Sequence, residues 1–302
     1  MLYDIIIIGA GPAGMTAALY ALRAGREVLL LEAFIYGGQV ANTPDVENYP
    51  SIKRIDGVEF SMNLYTQVSE LGAEFLFEGA ERIIDEGQIK TVVTSSGAEH
   101  QAGAVIIANG AKRRRLGVPG EEAFTGRGVS YCATCDGALY RGRDVAVVGG
   151  GNTALEDAIY LSPICGTVHL IHRRDTFRGG QILVDRVLAL PNVQVHYDTV
   201  TEAIIGDGKV VGINLKNVKT GVEGKIAVSG IFIAAGTEPD NSRFVPLVQL
   251  DPAGYILAGE DCETGTPGVY AAGDTRQKQL RQIITAASDG AVAATLAIQH
   301  MG

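Results

Sequence analysis

The sequence holds no tryptophan, only four cysteines, no concentrated basic surface and no long apolar run. Each scarcity excludes something. A bilayer-spanning helix needs roughly 20 consecutive apolar residues. The run Ile5-Ile6-Ile7-Ile8 is far too short, and no other stretch approaches that length. No positively charged segment precedes that run, and no small-residue cleavage pattern follows it, so the expectation is a cytoplasmic protein with no membrane role. In a reducing compartment four cysteines are not a disulfide framework. Cys165 and Cys262 stand alone and read as packing residues, whereas Cys132 and Cys135 sit at C-x-x-C spacing and call for another explanation. The net charge of −9 argues against nucleic acid, which requires a concentrated basic surface. The one basic run, Lys112-Arg113-Arg114-Arg115, reads as a solvated linker. Absence of tryptophan also leaves the fluorescence of any bound chromophore free of indole emission.

With 46% hydrophobic and 20% charged residues over 302 positions, the chain has material for about two cores. The β-branched run from Tyr3 to Ile8 reads as a strand buried on both faces. Gly9-Ala10-Gly11-Pro12-Ala13-Gly14 follows, then a helix through about Arg23, then a strand Glu27 to Leu31 ending at Glu32. Gly9 suits the tight turn, Gly11 the approach of a pyrophosphate, and Gly14 close packing of helix on strand. The phosphates then meet free N–H groups at the helix start. Glu32, 18 residues beyond Gly14, stands where a carboxylate accepts a hydrogen bond from a ribose hydroxyl. Strand, turn, helix, strand and terminal acid agree on a dinucleotide.

The logic recurs. Asp144 to Val148 reads as a strand, Gly149-Gly150-Gly151-Asn152-Thr153-Ala154 as the turn, and a helix follows to about Leu161. The next strand, Thr167 to Ile171, ends in His172-Arg173-Arg174 with Arg178 close behind, and not in an acid. A carboxylate there would repel a ribose 2′-phosphate, whereas guanidinium groups grip it with paired bonds. The basic strand end therefore points to NADP in preference to NAD. Two further buried strands with small residues at their ends, Gly103 to Gly110 and Gly230 to Gly236, follow their own glycine turns at similar spacing, so the halves look like copies of one nucleotide-binding design. A last strand near Gly268–Ala272 runs into Gly273-Asp274, and a small-residue helix is predicted from about Ala286 to His300. This tail has no third glycine turn, so it is expected to complete the first unit. The predicted fold is α/β, with two Rossmann-like three-layer domains, the second inserted into the first: residues 1–115 with 243–302, and 116–242.

Tyr131-Cys132-Ala133-Thr134-Cys135-Asp136-Gly137 stands just before the second nucleotide strand. Two cysteines at this spacing close a small disulfide ring, and a neighbouring carboxyl can pass a proton to a departing thiolate. Half of a zinc site is one alternative, but zinc wants four ligands and no second C-x-x-C or C-x-x-H exists. A pair of inert buried thiols is the other. Between two nucleotide sites, a redox dithiol is the economical reading.

Together Gly9 to Gly14, Gly37-Gly38-Gln39, Val46-Glu47-Asn48, Cys132 to Asp136, Gly149 to Ala154, His172-Arg173-Arg174 with Arg178, Gly273-Asp274 and Arg281-Gln282 make the chain closely resemble the low-molecular-weight thioredoxin reductases of bacteria, nearly end to end. The resemblance implies FAD in the first domain and NADPH in the inserted one. FAD would be held by Gly9, Gly11, Pro12, Ala13, Gly14, Glu32, Gly37, Gly38, Gln39, Asn48, Ala108, Gly110, Gly273, Asp274 and the Arg281-Gln282-Ile283 segment. NADPH would be held by Gly149, Gly151, Asn152, Thr153, Ala154, His172 and Arg173, with Arg174 and Arg178 on the 2′-phosphate. It further implies that Cys135 faces the flavin, Cys132 attacks the disulfide of thioredoxin, and Asp136 is the acid. A homodimer, and a rotation of the domains between half-reactions about the two linkers, also follow from it. The resemblance is to these smaller enzymes and not to the larger glutathione-reductase-type ones with an extra C-terminal dimerisation domain, which fits the expected rotation. Asn109 departs from the Ala-Thr-Gly run usual at its position. Relatives serving another redoxin or taking electrons from ferredoxin, and a non-catalytic flavin redox sensor, are the competing readings. The arginine cluster and the intact second glycine turn disfavour ferredoxin and leave the sensor reading with an unexplained feature.

Overall fold

A computed structural model describes residues 2–43 and 46–302. The chain divides into two compact units, Met1–Lys112 with Glu238–Gly302, and Arg113–Thr237. Its helices are α1 (Pro12–Arg23), α2 (Gly57–Glu70), α3 (Ala133–Asp136), α4 (Asn152–Leu161), α5 (Gln181–Leu188) and α6 (Ile283–Met301).

In the first unit, strands Glu74–Leu76, Val28–Leu31, Leu2–Ile8, Glu99–Ile107 and Val269–Ala271 lie side by side in that order, all parallel. The long strand Glu99–Ile107 pairs with Leu2–Ile8 along one edge and serves two partners along the other. Its first half pairs antiparallel with Lys90–Thr94, which in turn pairs with Ala80–Asp85. Ile5 and Ile7 point to a core shared with α1 and α6, while Ile6 and Ile8 point to one closed by the antiparallel strands and by Phe244, Val248 and Ile256. All four isoleucines are buried, which is why this strand reads as an unbroken β-branched run without alternation. The result is helix, parallel sheet and antiparallel sheet in three layers.

Helices α1 and α6 cross closely because their facing residues are small. A side chain at Gly290 would lie 2.1 Å from the Ala13 carbonyl oxygen. Helix α6 begins at Ile283, three residues before the predicted start near Ala286. Gln282 and Thr285 form a capping box, with the Gln282 N–H donating to Thr285 Oγ1 at 3.1 Å. The residue types are exchanged relative to the common Ser/Thr-x-x-Glu pattern, so the β-branched pair Ile283-Ile284 conceals a capped start.

The second unit repeats the plan. Strands Val193–His196, Val168–Ile171, Val145–Val148, Gly230–Ile233 and Val129–Ser130 form a parallel sheet in that order. One face packs on α3, α4 and α5, and the other on the antiparallel sheet Thr199–Asp207, Lys209–Asn217 and Glu223–Ile226. The two chain crossings between units, Ala111–Arg113 and Thr237–Pro239, pair as a two-stranded ribbon. Lys112, Arg114 and Arg115 are exposed, while the Arg113 guanidinium lies over the Tyr131 ring at 5.6 Å. No described helix is long and apolar enough to cross a membrane.

Candidate active site

The first glycine turn is built by close approach. Gly9 has a φ of +107°, and a side chain there would sit 2.4 Å from the Ala108 carbonyl oxygen, at the end of the neighbouring strand. A side chain on Gly14 would lie 1.8 Å from the Gly9 oxygen, so the first turn of α1 must press on the loop. Nothing stands within 4 Å of where a Gly11 side chain would project, and Pro12 opens α1 with a nitrogen that needs no partner. A backbone opened in this way can face a pyrophosphate.

Glu32 is fixed rather than free. Its Oε2 accepts the Ala10 N–H at 2.9 Å, and its Oε1 accepts the Phe34 N–H at 2.9 Å. Each carboxylate oxygen keeps a second lone pair for a ribose hydroxyl. Gly37 donates its N–H to the Ala10 oxygen at 2.7 Å, and the Gly38 position comes within 3.4 Å of Gly11 Cα, so Gly37, Gly38 and Gln39 lie along the same turn. Asn48 donates to Gln282 Oε1 at 2.9 Å, which brings two residues 234 positions apart to the start of α6. Gly273, with Asp274 beside it, abuts Ala13. The Arg281 guanidinium lies 4.1 Å from the centre of the Tyr255 ring, and its Nε is buried without a hydrogen-bond partner. Such an atom, with the open face of Gly11, fits a polar ligand of dinucleotide shape.

Asn109, the departure from the family pattern, has a structural role that the sequence did not announce. It donates through Nδ2 to the Asp240 oxygen and Asn241 Oδ1 at 3.1 and 3.2 Å, and its Oδ1 accepts the Thr275 hydroxyl at 2.8 Å. Sequence reasoning also missed the support of the Gly273-Asp274 turn. Asp289 of α6, buried among alanines, accepts the Gly273 N–H at 2.9 Å, Arg276 Nε at 2.8 Å and Lys278 Nζ at 2.7 Å on Oδ2, and Arg276 Nη2 at 2.9 Å on Oδ1. Burial alone would push its carboxyl up, but the bonds from Arg276 and Lys278 outweigh burial and hold it below the usual carboxylate range. An acid in an alanine-rich helix was the one available signal.

The second glycine turn copies the first. A side chain on Gly149 would lie 2.5 Å from the Ala234 oxygen, as Gly9 does from Ala108, and Gly151 faces open space as Gly11 does. Helix α4 starts at Asn152, whose Oδ1 accepts the Gly180 N–H at 2.8 Å, with Thr153 exposed and Ala154 buried beneath. Arg178 donates its backbone N–H to the Gly150 oxygen at 2.8 Å. The side chains of Arg173, Arg174 and Arg178 are exposed, and among the described residues none of them is in an ion pair. That is a donor set suited to a phosphate. His172 is placed differently. Its ring packs directly on Gly150 and stacks on Phe177, with Nε2 2.9 Å from the Thr176 oxygen, so it shapes the turn from beneath.

Cys132 and Cys135 are joined in a disulfide across the start of α3. Cys132 is in extended conformation, and its Sγ accepts the Cys135 N–H at 3.2 Å. Thr134 Oγ1 lies 3.4 Å from the same sulfur. Behind the ring, the Ser130 hydroxyl donates to Asp136 Oδ2 at 2.6 Å and accepts the Cys132 N–H at 3.1 Å. No residue pattern in the sequence marked Ser130. Tyr131 donates its hydroxyl to the buried Glu121, which also accepts the Leu116 and Gly117 N–H groups. Burial first and Glu121 second push the Tyr131 phenol up to about 12. The other two cysteines are buried thiols, pushed up chiefly by burial to about 11 for Cys165 and about 12 for Cys262, which makes them poor nucleophiles at neutral pH.

Two glycine turns of one build and a disulfide in one chain find a counterpart among known proteins. Residues 3–290 match the family model described as pyridine nucleotide-disulphide oxidoreductase. The thioredoxin reductase of Listeria innocua is 45% identical over 97% of this chain and 92% of its own length, and that of Bacillus subtilis is 44% identical over 99% and 94%. The crystal structure of thioredoxin reductase from Streptococcus pyogenes superposes with a TM-score of 0.94 at 45% identity, covering 99% of this chain and 98% of that one. The chain belongs to the pyridine nucleotide-disulphide oxidoreductase family.

Proposed function

We infer that the protein is a thioredoxin-disulfide reductase that carries electrons from NADPH through FAD and the Cys132–Cys135 disulfide to oxidised thioredoxin. The observation that carries this reading is the disulfide itself, set in a chain with two glycine turns of one build, with exposed arginines past the strand that follows the second turn and its helix. Relatives named thioredoxin reductase at 41–45% identity over nearly the whole chain support the same substrate.

Residues of the first unit, from Gly9 to Gly14 with Glu32, Gly37 to Gln39, Asn48, Ala108, Gly110, Gly273, Asp274 and the Arg281 to Ile283 segment, hold FAD. Gly149 to Ala154 hold the pyrophosphate of NADPH, and Arg173, Arg174 and Arg178 grip its 2′-phosphate. Bound FAD supplies a two-electron relay between a hydride donor and a disulfide. When the disulfide opens, the Cys135 N–H directed at Cys132 Sγ favours the thiolate on Cys132, because a hydrogen bond to the charged form stabilises it. Cys132 is therefore the nucleophile. Its thiolate attacks one sulfur of the partner's disulfide, forming a mixed disulfide and releasing the other sulfur, which takes a proton from Asp136. Cys135 then attacks Cys132 Sγ and re-forms the ring, and the second partner sulfur is expelled and takes up the proton that Cys135 gives up. The cysteines must meet a flavin in one half-reaction and a protein in the other. The two chain crossings serve as hinges for that exchange. The protein acts in the cytoplasm as a homodimer.

Steady NADPH consumption in the presence of thioredoxin and a model disulfide tests the activity, and no consumption above the thioredoxin-free rate would sink it. The arginines give a sharper check. A hydrogen bond to a charged group contributes about 1.5–3 kcal/mol, so Arg174→Ala and Arg178→Ala are each expected to raise KM for NADPH by roughly 10–100-fold. KM for NADH, which lacks the 2′-phosphate, should stay within about twofold of the starting protein. Equal losses for both nucleotides would mean these side chains do not read the phosphate.

A further inference from the structure

We propose that Ser130 is the positioning residue for the proton that Asp136 carries, an inference that rests on Asp136 being the acid of the thiol–disulfide exchange. Ser130 ends the edge strand Val129–Ser130 and is 5% exposed. Its hydroxyl meets three groups at once: the Cys132 N–H at 3.1 Å, Asp136 Oδ2 at 2.6 Å and the Cys132 carbonyl oxygen at 3.3 Å. A hydroxyl has one proton to give and two lone pairs to receive. With Asp136 ionised, Ser130 gives its proton to Oδ2 and receives the Cys132 N–H. With Oδ2 protonated, the carboxyl donates to the second lone pair, and the Ser130 proton turns to the Cys132 carbonyl. Every partner is satisfied in both states without movement of a heavy atom.

The two states are not equally served. The 2.6 Å contact falls in the range of a charge-assisted O–H···O⁻ bond, whereas the carbonyl contact is long. Ser130 therefore favours the carboxylate that remains after the proton has left. The proton passes from the Asp136 carboxyl to the partner's departing sulfur as the partner's S–S bond breaks, and the electron pair of that bond stays on the sulfur. Through the Cys132 N–H, the same hydroxyl ties the acid to the backbone of the nucleophile. The chain of donors polarises in one direction, from Cys132 N–H through Ser130 to Asp136.

Other titratable groups on elements packed against α3 are few. Tyr140 follows on the next turn, with a phenol pushed up by burial and then by the charge of Asp136. Helix α4 contributes Glu156, Asp157 and Tyr160. Asp157 is pushed up to about 7, by burial first and Glu156 second, so its carboxyl band must be told apart from that of Asp136. Cys132 and Cys135 are tied in the disulfide and do not titrate in the oxidised protein.

The test is an infrared titration of the oxidised holoprotein. Subtraction of Asp136→Asn isolates the Asp136 carboxyl band from that of Asp157. Loss of one charge-assisted bond is expected to move the midpoint of that band up by about one pH unit in Ser130→Ala. Ser130→Thr, which keeps the hydroxyl, should titrate with the starting protein. Ser130→Gly is a second hydroxyl-free variant, with the same shift expected should Ser130→Ala be poorly folded. A merely structural serine would lower the melting temperature in the hydroxyl-free variants and leave the midpoint in place. An unshifted midpoint, or a Thr variant shifted as far as the Ala variant, overturns the proposal. Thioredoxin turnover is measured on the same samples. Turnover with an unshifted midpoint sinks Ser130 and leaves the function standing. A shifted midpoint without any turnover in the starting protein upholds Ser130 as the group that sets the ionisation of Asp136 and sinks the thioredoxin reading.

Discussion

In Cys135→Ser, thioredoxin reduction is expected to fall to the background of the assay while NADPH still bleaches the flavin. Flavin reduction is expected to draw on the two nucleotide sites and not to need the Cys135 thiol. Turnover depends on a second sulfur. With a hydroxyl replacing the Cys135 thiol, Cys132 has no internal partner and remains a thiol that can still attack an external disulfide. Nothing then resolves the mixed disulfide, because a serine hydroxyl is a poor nucleophile toward sulfur at neutral pH. Incubation with oxidised thioredoxin should accordingly trap a reducible species with the combined mass of the two proteins, visible by mass spectrometry. Cys132→Ser should lose turnover equally. Wild-type turnover in either variant would remove the disulfide from the electron path. Cys165 and Cys262, buried and with thiols pushed far up, offer no substitute.

Asp289→Ala is the substitution expected to cost most in stability. It leaves Arg276, 2% exposed, and Lys278 as buried cations without their shared anion, and it deprives the Gly273 N–H of its acceptor. Breaking a buried ion pair from one side costs about 3–5 kcal/mol, more than removal of a surface pair by severalfold. Urea unfolding of the first unit should register that loss. The sign with pH follows from the depressed carboxyl of Asp289. A group whose folded value lies below its unfolded value stabilises the fold above the unfolded carboxylate pKa, about 3.9, and that contribution fades as pH falls toward the folded value. The starting protein should therefore lose stability more steeply in acid than Asp289→Ala does. The variant should also retain less flavin after gel filtration, because the Gly273-Asp274 turn is held by Asp289. Equal acid sensitivity in both proteins would mean the cluster contributes little.

What could be read in the sequence was whatever repeats locally. The β-branched strands, the two glycine turns and the basic strand end are contiguous, and each follows from backbone sterics or charge within a few residues. The same turn built twice, with Gly9 against Ala108 and Gly149 against Ala234, extends that logic across the sheet. Other features depend on which side chain meets which, and no period encodes that. Ser130 is six residues from Asp136 and reaches it only because the strand end and α3 double back. His172 sits in a basic run, but just past the end of the strand Val168–Ile171 its ring lies under Gly150 while its arginine neighbours remain in solvent. Asp289 is an acid in a small-residue helix, and nothing nearby in the sequence shows that Arg276 and Lys278 surround it. The start of α6 was hidden by a capping box with its two residue types exchanged.

Electrons are expected to pass from NADPH through the flavin to the Cys132–Cys135 disulfide, and one anaerobic experiment follows them from end to end. NADPH is added under argon until the flavin absorbance is lost, and oxidised thioredoxin is then added without oxygen. The expected result is return of the oxidised flavin spectrum with formation of thioredoxin thiols in proportion, and no return in Cys135→Ser. A flavin that bleaches with NADPH but stays bleached when thioredoxin is added would rule out that path.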